Sequence, residues 1–195
     1  MLHTFAINGT DGAEPQGGLL LDAQGNIFGT TYYGGNYGQG LHLGTVFELS
    51  PIGGAWVEQI LYNFTAAPDG YYPACSLVFD TAGNLYGTTT AGGSGNGSGT
   101  VFVLNRASGW KETSLHGFAG NPDGATPLGS LTFDAAGNVY GTTEAGGANS
   151  FGLYGVVYKI ASVVTAAPKF SPAGGAYSAA QTVRITDATP NATIY

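Results

Sequence analysis

The chain has 195 residues, of which 43% are apolar and only 9% charged, and its formal net charge at pH 7 is −7. That is enough apolar material for a packed core, while the five basic residues, Arg106, Lys111, Lys159, Lys169 and Arg184, are too few and too scattered to make a nucleic-acid surface. The single cysteine, Cys75, excludes an intrachain disulfide, and no apolar run approaches the ~20 residues that a membrane-spanning helix needs.

The elements come in copies. The opening LHTF reads as the remnant of a last strand, and MLHTFAINGT shows neither the basic nor the apolar region of an export signal. Three like units follow. In each, an apolar first strand ends at Leu21, Phe79 or Phe133, and a tight hairpin follows at Asp22, Gly25 and Asn26, at Asp80, Gly83 and Asn84, or at Asp134, Gly137 and Asn138. The carboxylate is placed to accept local backbone amides and the glycine to take positive φ, so these nine residues are assigned a structural turn role. The second strand is NIFGTT, NLYGTT or NVYGTT, ending at a Gly-Gly pair. The third is GTVFELS, GTVFVLN or GVVYKIA, rich in β-branched and aromatic residues. The fourth is AWVEQILYNF or GWKETSLHGF, each followed by Pro-Asp-Gly after a short spacer.

The hairpin aspartates stand 58 and then 54 residues apart. A repeat of this length marks a stacked array of like units. Four antiparallel strands per unit predict an all-β fold, a partial β-propeller-like array of about three four-stranded blades over residues 1–160. Three blades fall short of the about four to eight that close a ring. The expectation is therefore either further repeats upstream or an open stack that self-associates through its blade edges. After Ile160 the pattern stops; 161–167 reads as a linker and 168–195 as a truncated β-sandwich-like module with strand candidates at 182–186 and 193–195.

The order Leu-x-x-Phe, Asp-Gly, Asp-x-x-Gly-Asn, Tyr-Gly-Thr-Thr, Gly-Gly, Gly-Thr-Val-Phe, complete in residues 61–104, resembles the GloVer tandem repeat of choice-of-anchor bacterial surface proteins. The likeness covers about residues 2 to 160, with departures at Phe28 and at Gly155-Val156-Val157-Tyr158. It implies an exported protein, extracellular or cell-surface anchored, whose repeats carry no established catalytic residues. The tail, through Gly174–Tyr177 and Ala192–Tyr195, is similar to the start of the chitobiase/β-hexosaminidase C-terminal domain, which implies company with carbohydrate-active and surface proteins.

Candidate sites follow from what is not repeated. Asp11, Asp69 and Asp123 recur in Asp-Gly pairs, as a turn requirement does. His3, His42 and His116 have no zinc spacing, and calcium wants about six to eight oxygens, so no metal and no cofactor is assigned. No Gly-x-Ser-x-Gly context supports a hydrolase, and Gly92–Gly99 lacks the Gly-Lys-Ser/Thr of a phosphate loop. The non-repeated aromatics Tyr32, Tyr33, Tyr37, Tyr71 and Tyr72 are the binding candidates, because flat rings stack on sugars. The leading expectation is a non-catalytic extracellular scaffold for surface binding or display, with polysaccharide or a cell-surface glycan as partner. The alternative is a propeller-type lyase or glycoside-processing enzyme with its site on the blade-end loops. A histidine and two carboxylates meeting in a pocket would favour it.

Overall fold

The computed structural model describes residues 1–6, 8–36, 42–65, 68–148 and 154–161, and the backbone of 169–171 and 184–186. Among the described residues every element is a β-strand except one short 3-10 turn at Arg106–Ser108, and the named sheets are antiparallel. The protein is all-β.

The first unit holds β1 (Gly12–Ala13), β2 (Leu20–Leu21), β3 (Ile27–Thr31), β4 (Tyr33–Gly34), β5 (Thr45–Ile52) and β6 (Ala55–Asn63), with a four-stranded sheet in the order β2-β3-β5-β6. The second holds β7 (Tyr71–Pro73), β8 (Val78–Phe79), β9 (Leu85–Ala91), β10 (Thr100–Asn105) and β11 (Lys111–Gly117), ordered β11-β10-β9 with β7 and β8 both against β9. The third holds β12 (Thr132–Phe133), β13 (Val139–Thr142) and β14 (Val157–Ile160). In the first two units the first strand is thus not one run. In the second unit it breaks into two pieces around Cys75, whose sulfur accepts the Thr88 amide at 3.0 Å in place of a strand carbonyl. Cys75 is buried, in keeping with a slot for a small residue.

The hairpins are closed locally. Asp22 Oδ1 accepts the amides of Gln24 and Asn26 at 2.9 Å, and Asp22 Oδ2 accepts Asn26 Nδ2; Asp80 with Asn84 and Asp134 with Asn138 repeat the arrangement. Gly25, Gly83 and Gly137 take φ of 83°, 81° and 78°, a region that a Cβ disfavours.

Packing explains the motifs Tyr-Gly-Thr-Thr and Gly-Thr-Val-Phe. Gly29 faces Phe47, Gly87 faces Phe102 and Gly141 faces Tyr158 across the ladder, and each aromatic ring lies over the glycine. The second threonine then ties the same two strands, Thr31 Oγ1 to Thr45 Oγ1 and Thr89 Oγ1 to Thr100 Oγ1, both at 2.8 Å.

The core lies between sheets. Phe28, Val46 and Phe64 of the first unit pack with Leu77, Leu85, Phe102 and Leu104 of the second. Val101 and Phe118 of the second pack with Leu131 and Val139 of the third. On the other face of the first sheet, Ile27, Phe47 and Leu49 are covered by Phe5, Trp56 and Ile60. Each fully buried phenylalanine contributes about 1.5–3 kcal/mol relative to an exposed one, so sheet-on-sheet burial is the main stabilising term.

In the tail, Lys169–Ser171 (β15) pairs with Arg184–Thr186 (β16). The second of these falls within the 182–186 candidate. The candidate at 193–195 and all of the 161–167 linker except Ala161 lie outside the described residues.

Candidate functional site

Strand β6 changes face halfway along. A bulge lets Ile60 stand opposite Phe47 and Tyr62 opposite Val46, leaving Leu61 as the extra residue; β11 does the same at Leu115, with Ser114 opposite Phe102 and His116 opposite Val101. Such a bulge re-aims the side chains beyond it. Trp56, Glu58 and Ile60 therefore face backward, towards Phe5 and His3, while Tyr62 and Phe64 face forward into the second unit. One strand supplies polar groups to two junctions.

At the first junction, His3 Nε2 stands 3.5 Å from Asp11 Oδ2 and 3.6 Å from Glu58 Oε2. At the second, the Tyr62 hydroxyl donates to Asp69 Oδ2 at 2.8 Å, and Glu112 carries the role of Glu58. At the third, His116 Nε2 meets Asp123 Oδ2 at 2.9 Å. Each aspartate also accepts a backbone amide from the end of the incoming strand, Ala6, Thr65 or Ala119. Burial, the charge of the neighbouring aspartate and a hydrogen bond to it push Glu112 up to about 8. Burial and Asp11 push Glu58 up to about 7, against the opposing pull of His3. The buried Oε1 atoms of Glu58 and Glu112 accept no hydrogen bond. A protonated glutamic acid facing an aspartate is the arrangement these atoms fit.

Ligand atoms of His3, Asp11 and Glu58 lie within 4.8 Å of one another, and one imidazole with two carboxylates is a donor set for a divalent first-row ion. The neighbouring copy argues for a structural role, because there Tyr62 replaces the histidine and the carboxylates remain. Glu58 and Glu112 did not stand out among the sequence candidates. Their signal was the repeated Trp-x-Glu at Trp56 and Trp110.

Four of the five candidate tyrosines come together. Tyr72 is the hub: its ring stacks on Tyr32 at 4.8 Å and 15°, and meets Tyr33 and Tyr71 edge-on at 5.1 and 4.8 Å. Tyr32 and Tyr33 are in turn edge-to-face at 4.8 Å. All four are half-buried. They are not purely loop residues, since Tyr33 lies in β4 and Tyr71 and Tyr72 in β7. Burial, with Tyr33, Tyr71 and Tyr32 crowding it, pushes the Tyr72 phenol up. Tyr37 lies outside the described residues.

Tyr72 also has φ of 62°, and its counterparts Glu14 and Thr126 both have 56°. This left-handed backbone costs a non-glycine residue about 1–2 kcal/mol. It aims the amide of Tyr72 at the Leu43 carbonyl, 2.9 Å away in the preceding unit, as Thr126 is aimed at Ser98. The strain belongs to the stitching of units.

A cavity of about 770 Å³ opens between the second and third units, among Phe79, Tyr86, Leu115, Phe133 and Val139, with the hairpin aspartates Asp80 and Asp134 at its rim. It contains neither the tyrosine cluster nor His3, Asp11 and Glu58. The histidine and its two carboxylates therefore meet outside the cavity, in a half-buried junction.

A fold of stacked antiparallel sheets, with its buried polar groups spent on joining one unit to the next, defines a tandem-repeat protein. The family model of the Gloeobacter/Verrucomicrobia repeat matches residues 1–195, and the chain belongs to that family. The match runs through the tail without setting it apart as a second module. No curated protein matches the sequence.

Proposed function

We propose that this chain is a non-catalytic scaffold of an extracellular or cell-surface-anchored protein, and that the Tyr32–Tyr33–Tyr71–Tyr72 cluster is its contact surface for polysaccharide. The carrying observation is convergence: four tyrosines that the other units do not share gather at one boundary around Tyr72. Phenols combine an apolar ring face with a hydroxyl, the two features a sugar ring meets. The propeller-like reading rests on meandering sheets that share cores with the next unit. The reading of the tail as a β-sandwich-like module rests on its sequence likeness alone.

The lyase or glycoside-processing alternative draws on His3, Asp11 and Glu58. It is disfavoured because the same carboxylate pair recurs with Tyr62, which fits a joint between units better than a single reaction centre.

Affinity electrophoresis through gels loaded with different polysaccharides, together with a glycan array, tests the proposal. Retention by at least one glycan is expected, lost in Tyr32→Ala and Tyr33→Ala at nearly unchanged melting temperature. Retention that survives both substitutions would move the ligand elsewhere. Absence of any retention would leave a structural spacer.

A further inference from the structure

The three polar junctions share one framework, in which the aspartate of an Asp-Gly pair faces the residue after the leucine of Leu-x-x-Phe. Two of them are closed by direct hydrogen bonds. Tyr62 Oη donates to Asp69 Oδ2 at 2.8 Å, and His116 Nε2 meets Asp123 Oδ2 at 2.9 Å. The first is built differently. His3 occupies the same place, yet its Nε2 stands 3.5 Å from Asp11 Oδ2 and 3.6 Å from Glu58 Oε2, beyond the about 2.7–3.2 Å of a nitrogen-to-oxygen hydrogen bond. That Nε2 is buried without a hydrogen-bond partner, and so is Glu58 Oε1. Buried polar atoms are ordinarily paired.

The gaps have the size of a ligand shell. Nitrogen and oxygen ligands held about 2.0–2.2 Å from one tetrahedral ion stand about 3.3–3.6 Å from each other. Ligand atoms of His3, Asp11 and Glu58 all lie within 4.8 Å of one another, and they form the one such group of three among the described residues. The side chains are also held from behind. Phe5 meets the His3 ring edge-on at 4.6 Å, Asp11 Oδ2 and Oδ1 accept the amides of Ala6 and Gly12 at 2.8 and 2.6 Å, and Glu58 sits opposite Leu49 in the β5–β6 ladder. Support of this kind fixes the orientation of metal ligands.

We propose that the His3–Asp11–Glu58 junction binds one divalent first-row ion, zinc above all, with water as the fourth ligand, and that the ion clamps the opening segment of the chain to β6 and to the Asp11 turn. An imidazole nitrogen beside two carboxylates favours zinc over calcium or magnesium, which take shells of about six or more oxygens. The two carboxylates balance the charge of the ion. The second copy has no such site, because Asp69 Oδ2 already accepts the hydroxyls of Tyr62 and Thr65 and the Thr65 amide. The third sets His116 against Asp123 alone among the described residues. The role is structural: the ion holds the first joint as hydrogen bonds hold the other two.

The test uses the whole chain, stripped with EDTA and freed of the chelator, titrated with Zn²⁺ in a calorimeter, with Co²⁺ as a visible probe. Expected are one zinc per chain, a melting temperature that rises with zinc concentration, and the d–d absorption of four-coordinate cobalt, bleached by added zinc. Glu58→Gln, and His3→Tyr, which copies the second junction's own residue, should bind zinc roughly 100-fold more weakly or not at all. His116→Tyr should bind as the wild type does. Melting curves in EDTA show that each variant is folded. A wild type that binds no zinc overturns the inference. So does binding that survives Glu58→Gln, which would put the ion on His3 and the chain's amino terminus, and so does loss of the site in His116→Tyr.

Discussion

Gly87 lies directly opposite Phe102, and a Cβ at Gly87 would stand 2.6 Å from the ring's Cζ. The same fit recurs at Gly29 with Phe47 and at Gly141 with Tyr158, so the glycine inside each second strand is there to admit a neighbour's ring. Gly87→Ala should cost about 1–3 kcal/mol of stability, as overpacking does. Phe102→Leu made in that background should cost less than in the wild type, because the shorter side chain vacates the crowded space. Urea unfolding of the four proteins measures the coupling, and strict additivity would show that the ring does not hold the glycine.

Tyr158 departs from phenylalanine, and the fold does nothing with its hydroxyl. The Oη atom is buried without a partner, and the ring packs edge-on against Phe118 at 5.0 Å. Burial, with Cys75 nearby, pushes the phenol far above its ordinary value. Tyr158→Phe should stabilise the chain by about 1 kcal/mol, since an unsatisfied buried hydroxyl is removed and the ring is kept. A raised urea midpoint with an unchanged slope is the expected readout. A lowered midpoint would mean that the hydroxyl is bonded.

Glu112 makes the stability pH-dependent. Its folded value of about 8 lies above the usual 4.5, so the folded chain holds a proton that the unfolded chain gives up. The contribution is complete below about pH 4.5 and is lost as pH rises through about 8. Glu58, raised to about 7, acts in the same sense. Melting temperature should therefore fall across this window. Glu112→Gln, a neutral isostere whose amide can donate to Asp69, should flatten that fall and melt higher than the wild type above pH 8. Parallel pH profiles for the two proteins would refute the shared-proton joint.

Whatever is built from neighbours along the chain can be read from residue order. The Asp22-to-Asn26 hairpin closes within five residues, so its bonds can be read from residue types, and the alternation in Gly-Thr-Val-Phe marks a strand before any partner is known. The repeat spacing likewise announced stacked units. The direction in which each side chain faces is set by strand register. The bulge at Leu61 turns Tyr62 away from Glu58 and into the next unit, and that shift depends on register with β5, which no local pattern encodes. The tyrosines were legible one by one as unrepeated aromatics. Their meeting around Tyr72 depends on two sheets docking, because residues 40 positions apart in the chain touch only once the apolar faces between them have closed.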